Sequence, residues 1–231
     1  MAGPILFVAA DPRECAGLIA HWENVRAVPL PVAWVRTGRW KGGEAMAIAN
    51  GAGADRAFAA VLVAPKPSAV CNIGFCGALD ESPRVGDIFV ACEVRNGSRR
   101  YETLVPGVVG SGIASGAVAS IDHIAATAAE KRNLRATGAS IVEMEAAGAA
   151  RAAEDLDLPF YCIRAVSDLA DEDFENDFNA ALTPEGQFST LRLVTGALAR
   201  PRQRFGELLR LKRRTDAASK KLGDFLADCT F

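Results

Sequence analysis

Two carboxylates close short apolar runs in this chain: Glu145 in Ile141-Val142-Glu143-Met144-Glu145, and Asp168 in Arg164-Ala165-Val166-Ser167-Asp168. Between them lies an alanine-rich helical stretch, Ala146 to Leu156. Read as strand, crossover helix and parallel strand, the segment brings both strand ends to one edge of a sheet, where α/β proteins bind small ligands. One acid beside a Met and one behind a Ser suit a site that grips a sugar and protonates a leaving group, which is nucleoside chemistry. Cleaving a purine N-glycosidic bond passes through an oxocarbenium-like sugar. The protein must then neutralise the departing base and hold the ribose where positive charge develops.

Asp168 is the expected acid, placed at purine N7. A free Asp, with a pKa near ~3.9, is mostly ionised at neutral pH, and desolvation at the sheet edge is expected to raise that value. Glu145 is expected to be ionised and to accept hydrogen bonds from ribose hydroxyls. Glu14, after the first apolar run, faces the same crevice and is the candidate base for activating water. Singly, each acid has an ordinary explanation: a solvated helix residue, an N-cap, or a first-turn acid favoured by the helix dipole. Their placement after three separate apolar runs is what argues for one site.

The elements that must position these residues alternate between strand and helix. Ile5 to Ala10 reads as a buried strand, and Asp11-Pro12 as N-cap and first residue of a helix. Ala33–Thr37 and Ala45–Ala49 read as strands joined around Lys41-Gly42-Gly43, and Ala54–Ala64 as a helix. Ala69 to Ile73 is a central strand opening onto a small-residue turn, Gly74-Phe75-Cys76-Gly77-Ala78. Val85-Gly86-Asp87 turns into the strand Ile88–Val94, and Asn96-Gly97 is a hairpin signal at the head of the poorly patterned, glycine-rich stretch 95–117. Val118–Ile121 reads as a strand, Ala125–Leu134 as a helix, Asp171–Asn179 as an acidic loop and Pro184–Ala199 as a helix. The pattern predicts an α/β sandwich.

Composition agrees with one such domain. The chain has 231 residues, 50% of them hydrophobic, and a formal net charge of −2, enough for a full α/β core. No apolar run approaches the ~20 residues of a membrane span, and no secretion signal is visible, so a cytoplasmic protein is expected. Six scattered cysteines without a CxxC pair, and only two histidines, give no zinc spacing. Neither a metal nor another cofactor is expected. Cys71, Cys92 and Cys162 lie in apolar runs and are expected as buried free thiols.

From Arg200 onward composition shifts. Nine basic residues between Arg200 and Lys221 face only Glu207 and Asp216, while Leu208, Leu211, Thr215, Ala218, Leu222 and Phe225 recur at helical spacing. This predicts a basic amphipathic helix over 200–231, distinct from a domain over 1–199. It could pack on its own domain or a twin subunit, or meet anionic lipid, where each basic residue contributes ~1 kcal/mol. Nucleic acid is excluded as a partner, because the basic residues sit on one terminal helix without interleaved aromatics and the chain is slightly acidic.

Three motifs in order carry a specific resemblance: Asn72-Ile73-Gly74-Phe75-Cys76-Gly77-Ala78-Leu79 followed by Val85-Gly86-Asp87-Ile88, then Val142-Glu143-Met144-Glu145, then Arg164-Ala165-Val166-Ser167-Asp168. Over residues 5–199 the chain resembles the nucleoside phosphorylase/nucleosidase family that includes methylthioadenosine/S-adenosylhomocysteine nucleosidase. The resemblance implies a three-layer αβα sandwich of the phosphorylase/hydrolase-like type with a mixed central sheet, and a homo-oligomer. It places Asp168 at the purine, Glu145 and the Met144 backbone at the ribose, and Glu14 at the attacking water. It also places Ile124 in the base pocket, and Gly74, Phe75, Cys76, Glu143 and Ser167 against the substrate.

Phe75 departs from the family, which usually has a small Ser there, so a smaller or drier nucleophile site is expected. The glycine-and-arginine phosphate loop of phosphorylases is not clear, Arg13 being its only remnant. Water and phosphate therefore both stand as nucleophiles, with Glu14 favouring water. Glu130-Lys131-Arg132 and the Leu208-Leu209-Arg210-Leu211 tail are similar to the hopanoid-biosynthesis branch, which implies a lipid-linked adenosine such as adenosylhopane and contact with the inner face of the membrane. Methylthioadenosine, S-adenosylhomocysteine and futalosine are the alternative substrates, and a non-catalytic nucleoside-binding module is the alternative of another class.

Overall fold

The computed structural model describes residues 3–107, 113–198 and 200–231. In chain order, the first half contains β1 (Ile5–Ala9), α1 (Pro12–Ile19), β2 (Glu23–Arg26), β3 (Trp34–Trp40), β4 (Gly43–Ala49), α2 (Ala54–Val63), β5 (Ala69–Ala78), β6 (Ile88–Asn96) and β7 (Arg99–Glu102). The second half contains β8 (Ala114–Ser120), α3 (Ala128–Arg135), β9 (Ile141–Glu143), α4 (Ala146–Asp155), β10 (Phe160–Asp168), α5 (Phe178–Ala181), α6 (Thr190–Ala197) and α7 (Pro201–Asp228).

Covered on both faces, the central strands have no polar side, and their alternating residues divide between two cores. Leu6, Val8, Ile48, Val70 and Cys162 point to the face covered by α2 and α4, joining Ala57, Val61, Ala149 and Ala153. Phe7, Ala47, Cys71, Ile163 and Ala165 point to the other face, joining Cys15 and Leu18 of α1 and Ala218, Leu222 and Leu226 of α7. This is the three-layer α/β arrangement with a mixed sheet.

The strand order is β10-β6-β8-β9-β5-β1-β4-β3-β2, with β7 hairpinned to β6 and β10 paired additionally to β5. The strands β5, β10, β6, β8 and β9 thus close on one another at one end of the sheet. This corrects the simple crossover reading of 139–168. β10 runs parallel to β5, whereas β9 runs antiparallel to it. The ends of β9 and β10 still reach one cavity, because β5 has both strands as neighbours at one point: Gly77 pairs with Val142 on one side and Asp168 on the other. The expected turn 74–78 is strand, its small residues allowing this crowding.

Other differences have local causes. β2 has no apolar signal because all four of its residues are exposed at the sheet edge. The helix expected from Pro184 begins at Thr190, capped by Ser189, after an irregular segment that puts Phe188 at the cavity described below. Cys71 and Cys162 are buried free thiols, but Cys92 is exposed, at a register shift between Ala91 and Glu93 where β6 pairs with β8. Residues 108–112 of the glycine-rich stretch and Ala199, the expected domain edge, lie outside the described residues.

The compositional break at 200 does not coincide with a break in packing. Leu222 and Leu226 are fully buried, each worth about 1.5–3 kcal/mol. Ser219 Oγ donates to Arg13 O at 2.6 Å, and Phe231 packs on Phe7, Trp40 and Tyr161. α7 crosses α1 where Gly223 lies against Gly17, so close that a methyl group on either would strike backbone atoms of the other helix. The stripe read from the sequence therefore divides. Ala218 and Leu222 complete the core, whereas Leu208, Leu211 and Thr215 line the cavity.

Gly223→Ala should force the helices apart and lower the unfolding midpoint by roughly 5 °C or more, since overpacking costs ~1–3 kcal/mol. Gly206→Ala on the same helix meets nothing within 4 Å and should raise the midpoint by ~2–4 °C. Differential scanning fluorimetry of the pair checks this; equal effects would mean the crossing is not tight.

Candidate active site

The open cavity at the strand ends has a volume of about 740 Å³. Nine of the ten residues expected at the site line it: Glu14, Phe75, Cys76, Ile124, Glu143, Met144, Glu145, Ser167 and Asp168. Gly74 does not. It lies behind the wall, where a Cβ would stand 2.6 Å from Glu14 Oε1 and 2.8 Å from Arg164 Nη1. Its contribution is the space that lets an acid and a guanidinium close on one point.

At one end, Asp168 terminates β10 with both carboxyl oxygens engaged. Ser167 Oγ lies 2.7 Å from Oδ1 and 3.1 Å from the Cys76 carbonyl, and its one proton serves either acceptor. Lys131 Nζ donates to Oδ2 at 2.6 Å and to Leu169 O at 2.6 Å. Lys131 is wholly buried, its ammonium 5.3 Å from the Phe174 ring centroid. The expected picture of Asp168 governed by desolvation alone is thereby corrected: burial is real, but a buried cation accompanies it. Ile124 borders this end, pinned by Asn179, which accepts from its N–H at 2.8 Å and donates to its carbonyl at 2.9 Å.

At the other end, three glutamates surround Arg164. Glu14 is held by backbone donors: Oε2 accepts from Ala10 N at 2.8 Å and Asp11 N at 2.9 Å, and Oε1 from Phe75 N at 2.9 Å. With Asp11 it forms the capping box of α1, so the helix start itself aims the carboxylate. Glu143 Oε2 accepts from Glu145 N and Ala146 N at the first turn of α4 and pairs with Arg164, which also binds Asn72 Oδ1. Glu145 Oε1 accepts from Gly53 N at 3.0 Å. Glu143 Oε1 is buried and has no hydrogen-bond partner among the described residues.

These carboxylates compete for one guanidinium. Burial pushes Glu14 above the usual carboxylate range against its backbone donors. Glu145 is pushed up to about 8, first by burial and then by the charge of Glu143. The sequence leads to an ionised Glu145; burial and the neighbouring Glu143 both favour its protonated form instead. Burial opposes the charge on Arg164, but Glu143 and its neighbours hold it raised and fully cationic. Burial also raises the Cys76 thiol well above its ordinary value, so this lining sulfur stays protonated.

Several site residues carried no signal or no assigned role in the sequence. Lys131 reads as one charge in a polar helix, and only α3 docking against the 168–172 backbone reveals it. Arg164 was visible as part of a motif, yet its partners Asn72 and Glu143 come from two other strands. The mouth is built by Trp34, Phe178, Phe188, Leu193, Leu208 and Leu211, from five separate segments.

A glutamate whose pKa is 4.5 unfolded and about 8 folded binds more protons in the native state, so its contribution to stability is full below pH 4.5 and lost as pH rises to 8. Glu145→Gln removes this dependence. The variant's unfolding midpoint should therefore gain on the wild type between pH 5 and pH 8, and a constant difference would refute the assignment.

The phosphorylase superfamily model matches residues 4–114 and 109–198. A 5'-methylthioadenosine/S-adenosylhomocysteine nucleosidase of Shewanella sediminis is 25% identical over 223 residues, covering 81% of this chain and 95% of its own. Among solved structures, the nucleosidase of that name from S. pneumoniae, with the transition-state inhibitor MT-ImmA, superposes with a TM-score of 0.74 at 19% identity, covering 97% of each chain. The futalosine hydrolase of Helicobacter pylori superposes at 0.73 with 16% identity, covering 98% of this chain and 96% of its own. The structures share the fold; the family model spans most of the sequence, and the chain belongs to the phosphorylase superfamily.

Proposed function

We propose that the protein hydrolyses the N-glycosidic bond of a 5′-substituted adenosine, releasing adenine. One observation carries this reading: a single cavity has a carboxyl for a leaving base at one end and a cluster of acids for a cationic sugar at the other. The C1′–N9 bond breaks with its electron pair going to the base, and Asp168 delivers a proton to N7. Glu145 and the Met144 backbone hold the ribose, and negative charge on Glu143 and Glu14 stabilises the oxocarbenium-like sugar. Water adds to C1′ and loses its proton to Glu14. The relatives' activities, as their names give them, support the same bond cleavage.

Water is favoured over phosphate on electrostatic grounds. A phosphate dianion would meet Glu14, Glu143 and Glu145 around a guanidinium already bound to Glu143 and Asn72. Arg13, the other candidate, is exposed and paired with Asp11.

The 5′ group in this proposal is large and apolar, as in a lipid-linked adenosine of the adenosylhopane kind. The cavity lies high in the ~300–1,000 Å³ range of small-molecule sites, and its mouth presents Trp34, Phe188, Leu193, Leu208 and Leu211. Such a substrate resides in a bilayer, and the proposal includes peripheral contact between the exposed basic face of α7, including Arg202 and Arg213, and anionic lipid. Methylthioadenosine or S-adenosylhomocysteine as substrate is the second reading, supported by the names of the relatives.

Adenine release should proceed without phosphate and favour long apolar 5′ substituents over methylthio. Phosphate dependence would overturn the hydrolytic step, and no base release from any adenosine derivative would overturn the reaction class. Asp168→Asn should retain nucleoside binding and lose ~10²–10⁴-fold in kcat; full activity would remove Asp168 from the proton path. Arg202→Glu with Arg213→Glu should weaken binding to anionic vesicles at least ~10-fold while sparing cleavage of a soluble nucleoside. Unchanged vesicle binding would refute the lipid contact.

A further inference from the structure

We propose that Lys131 is a positioning residue for the acid step: it orients Asp168 and stabilises the carboxylate left when the proton moves to the base. The inference rests on the adenine-releasing reading above and concerns a residue that does not itself line the cavity. Lys131 is wholly buried on α3, and its ammonium is directed at the end of β10, donating to Asp168 Oδ2 and Leu169 O at 2.6 Å each and approaching Glu172 O at 3.5 Å. Burying an ammonium is costly unless it is paired, and breaking such a pair by removing one partner is strongly destabilising. A side chain spent this way on a candidate catalytic carboxyl fixes its rotamer from behind, while Ser167 fixes the second oxygen.

The proton balance gives the ammonium its use. Asp168 begins the step as a carboxylic acid and ends it as a carboxylate, while N7 gains the proton and the base leaves neutral. Without a cation, that step would leave an anion in a buried site. With Lys131 present, the new charge forms against an ammonium already in contact. Other charged groups near the pair are Glu172, whose side chain accepts from Leu169 N at 3.0 Å, and Arg214, which is bonded to Glu172.

The test is a double-mutant cycle with a leaving-group control. Lys131→Met should lower kcat for an adenine nucleoside by ~10²-fold or more with KM changed less than ~3-fold. In an Asp168→Asn background the same change should add less than ~3-fold, since the two residues act as a unit. On a p-nitrophenyl riboside with the same 5′ group, whose nitrophenolate leaves without a proton, Lys131→Met should lose less than ~10-fold. Additive losses in the cycle, or equal losses on both leaving groups, would overturn the proposal. If the Met variant does not fold, Lys131→Arg, which keeps the charge but moves the donor, should retain kcat on the adenine nucleoside within ~10-fold and differ less than ~3-fold between the two leaving groups in relative loss; a loss of ~10²-fold on both leaving groups would overturn the proposal. Wild-type protein that releases no adenine would instead defeat the functional reading, a different and separately visible outcome.

Discussion

Arg164 is buried among Glu14, Glu143 and Glu145, and the rest of the site depends on that imbalance of charge. One guanidinium cannot neutralise three carboxylates, and burial together with the charge of Glu143 pushes Glu145 up to about 8. A ligand that develops positive charge relieves the conflict, and an anionic ligand deepens it. In the proposed reaction, the buried acids favour a cationic sugar before any contact with its substituents is considered. The fold meets the cost of holding them with backbone donors. Ala10, Asp11 and Phe75 serve Glu14, the first turn of α4 serves Glu143, and Gly53 serves Glu145.

The opposite end of the cavity has the reverse logic. There a single acid, Asp168, is balanced by a buried ammonium, and its neighbours at the cavity are Ile124 and Phe174. The nucleoside of the proposed reaction would span two electrostatic environments, one that tolerates charge on a carboxyl and one that has too much of it. The closure of β5, β10, β6, β8 and β9 holds both ends in register, since Gly77 is neighbour to each of the two motif strands. A flat parallel sheet would place these strand ends side by side. Here they approach one point from opposite directions.

α7 connects the site to the outer surface. Its C-terminal half is locked by the crossing at Gly17 and Gly223, which fixes where the N-terminal half can lie. Leu208 and Leu211 thereby become cavity wall, while Arg202, Arg210 and Arg213 on the same helix are exposed. A helix that reads as an appendage is part of both the core and the mouth.

Legibility in the sequence followed how local each interaction is. The buried strands, the N-cap at Asp11, the hairpin at Asn96-Gly97 and the acids Glu14, Glu145 and Asp168 were readable because apolar runs, caps and turns are written in neighbouring residues. The direction of β9, the exposure of Cys92 and the protonation of Glu145 were not, for each depends on elements remote in the chain. Lys131 shows the limit most clearly: the Glu130-Lys131-Arg132 run was visible as a motif, but nothing local ties this lysine to Asp168, thirty-seven positions away. The sequence by itself determined which residues could do chemistry and which segments would carry them. Tertiary structure alone decided their partners and their charge, because burial and Coulomb interaction depend on distance in space.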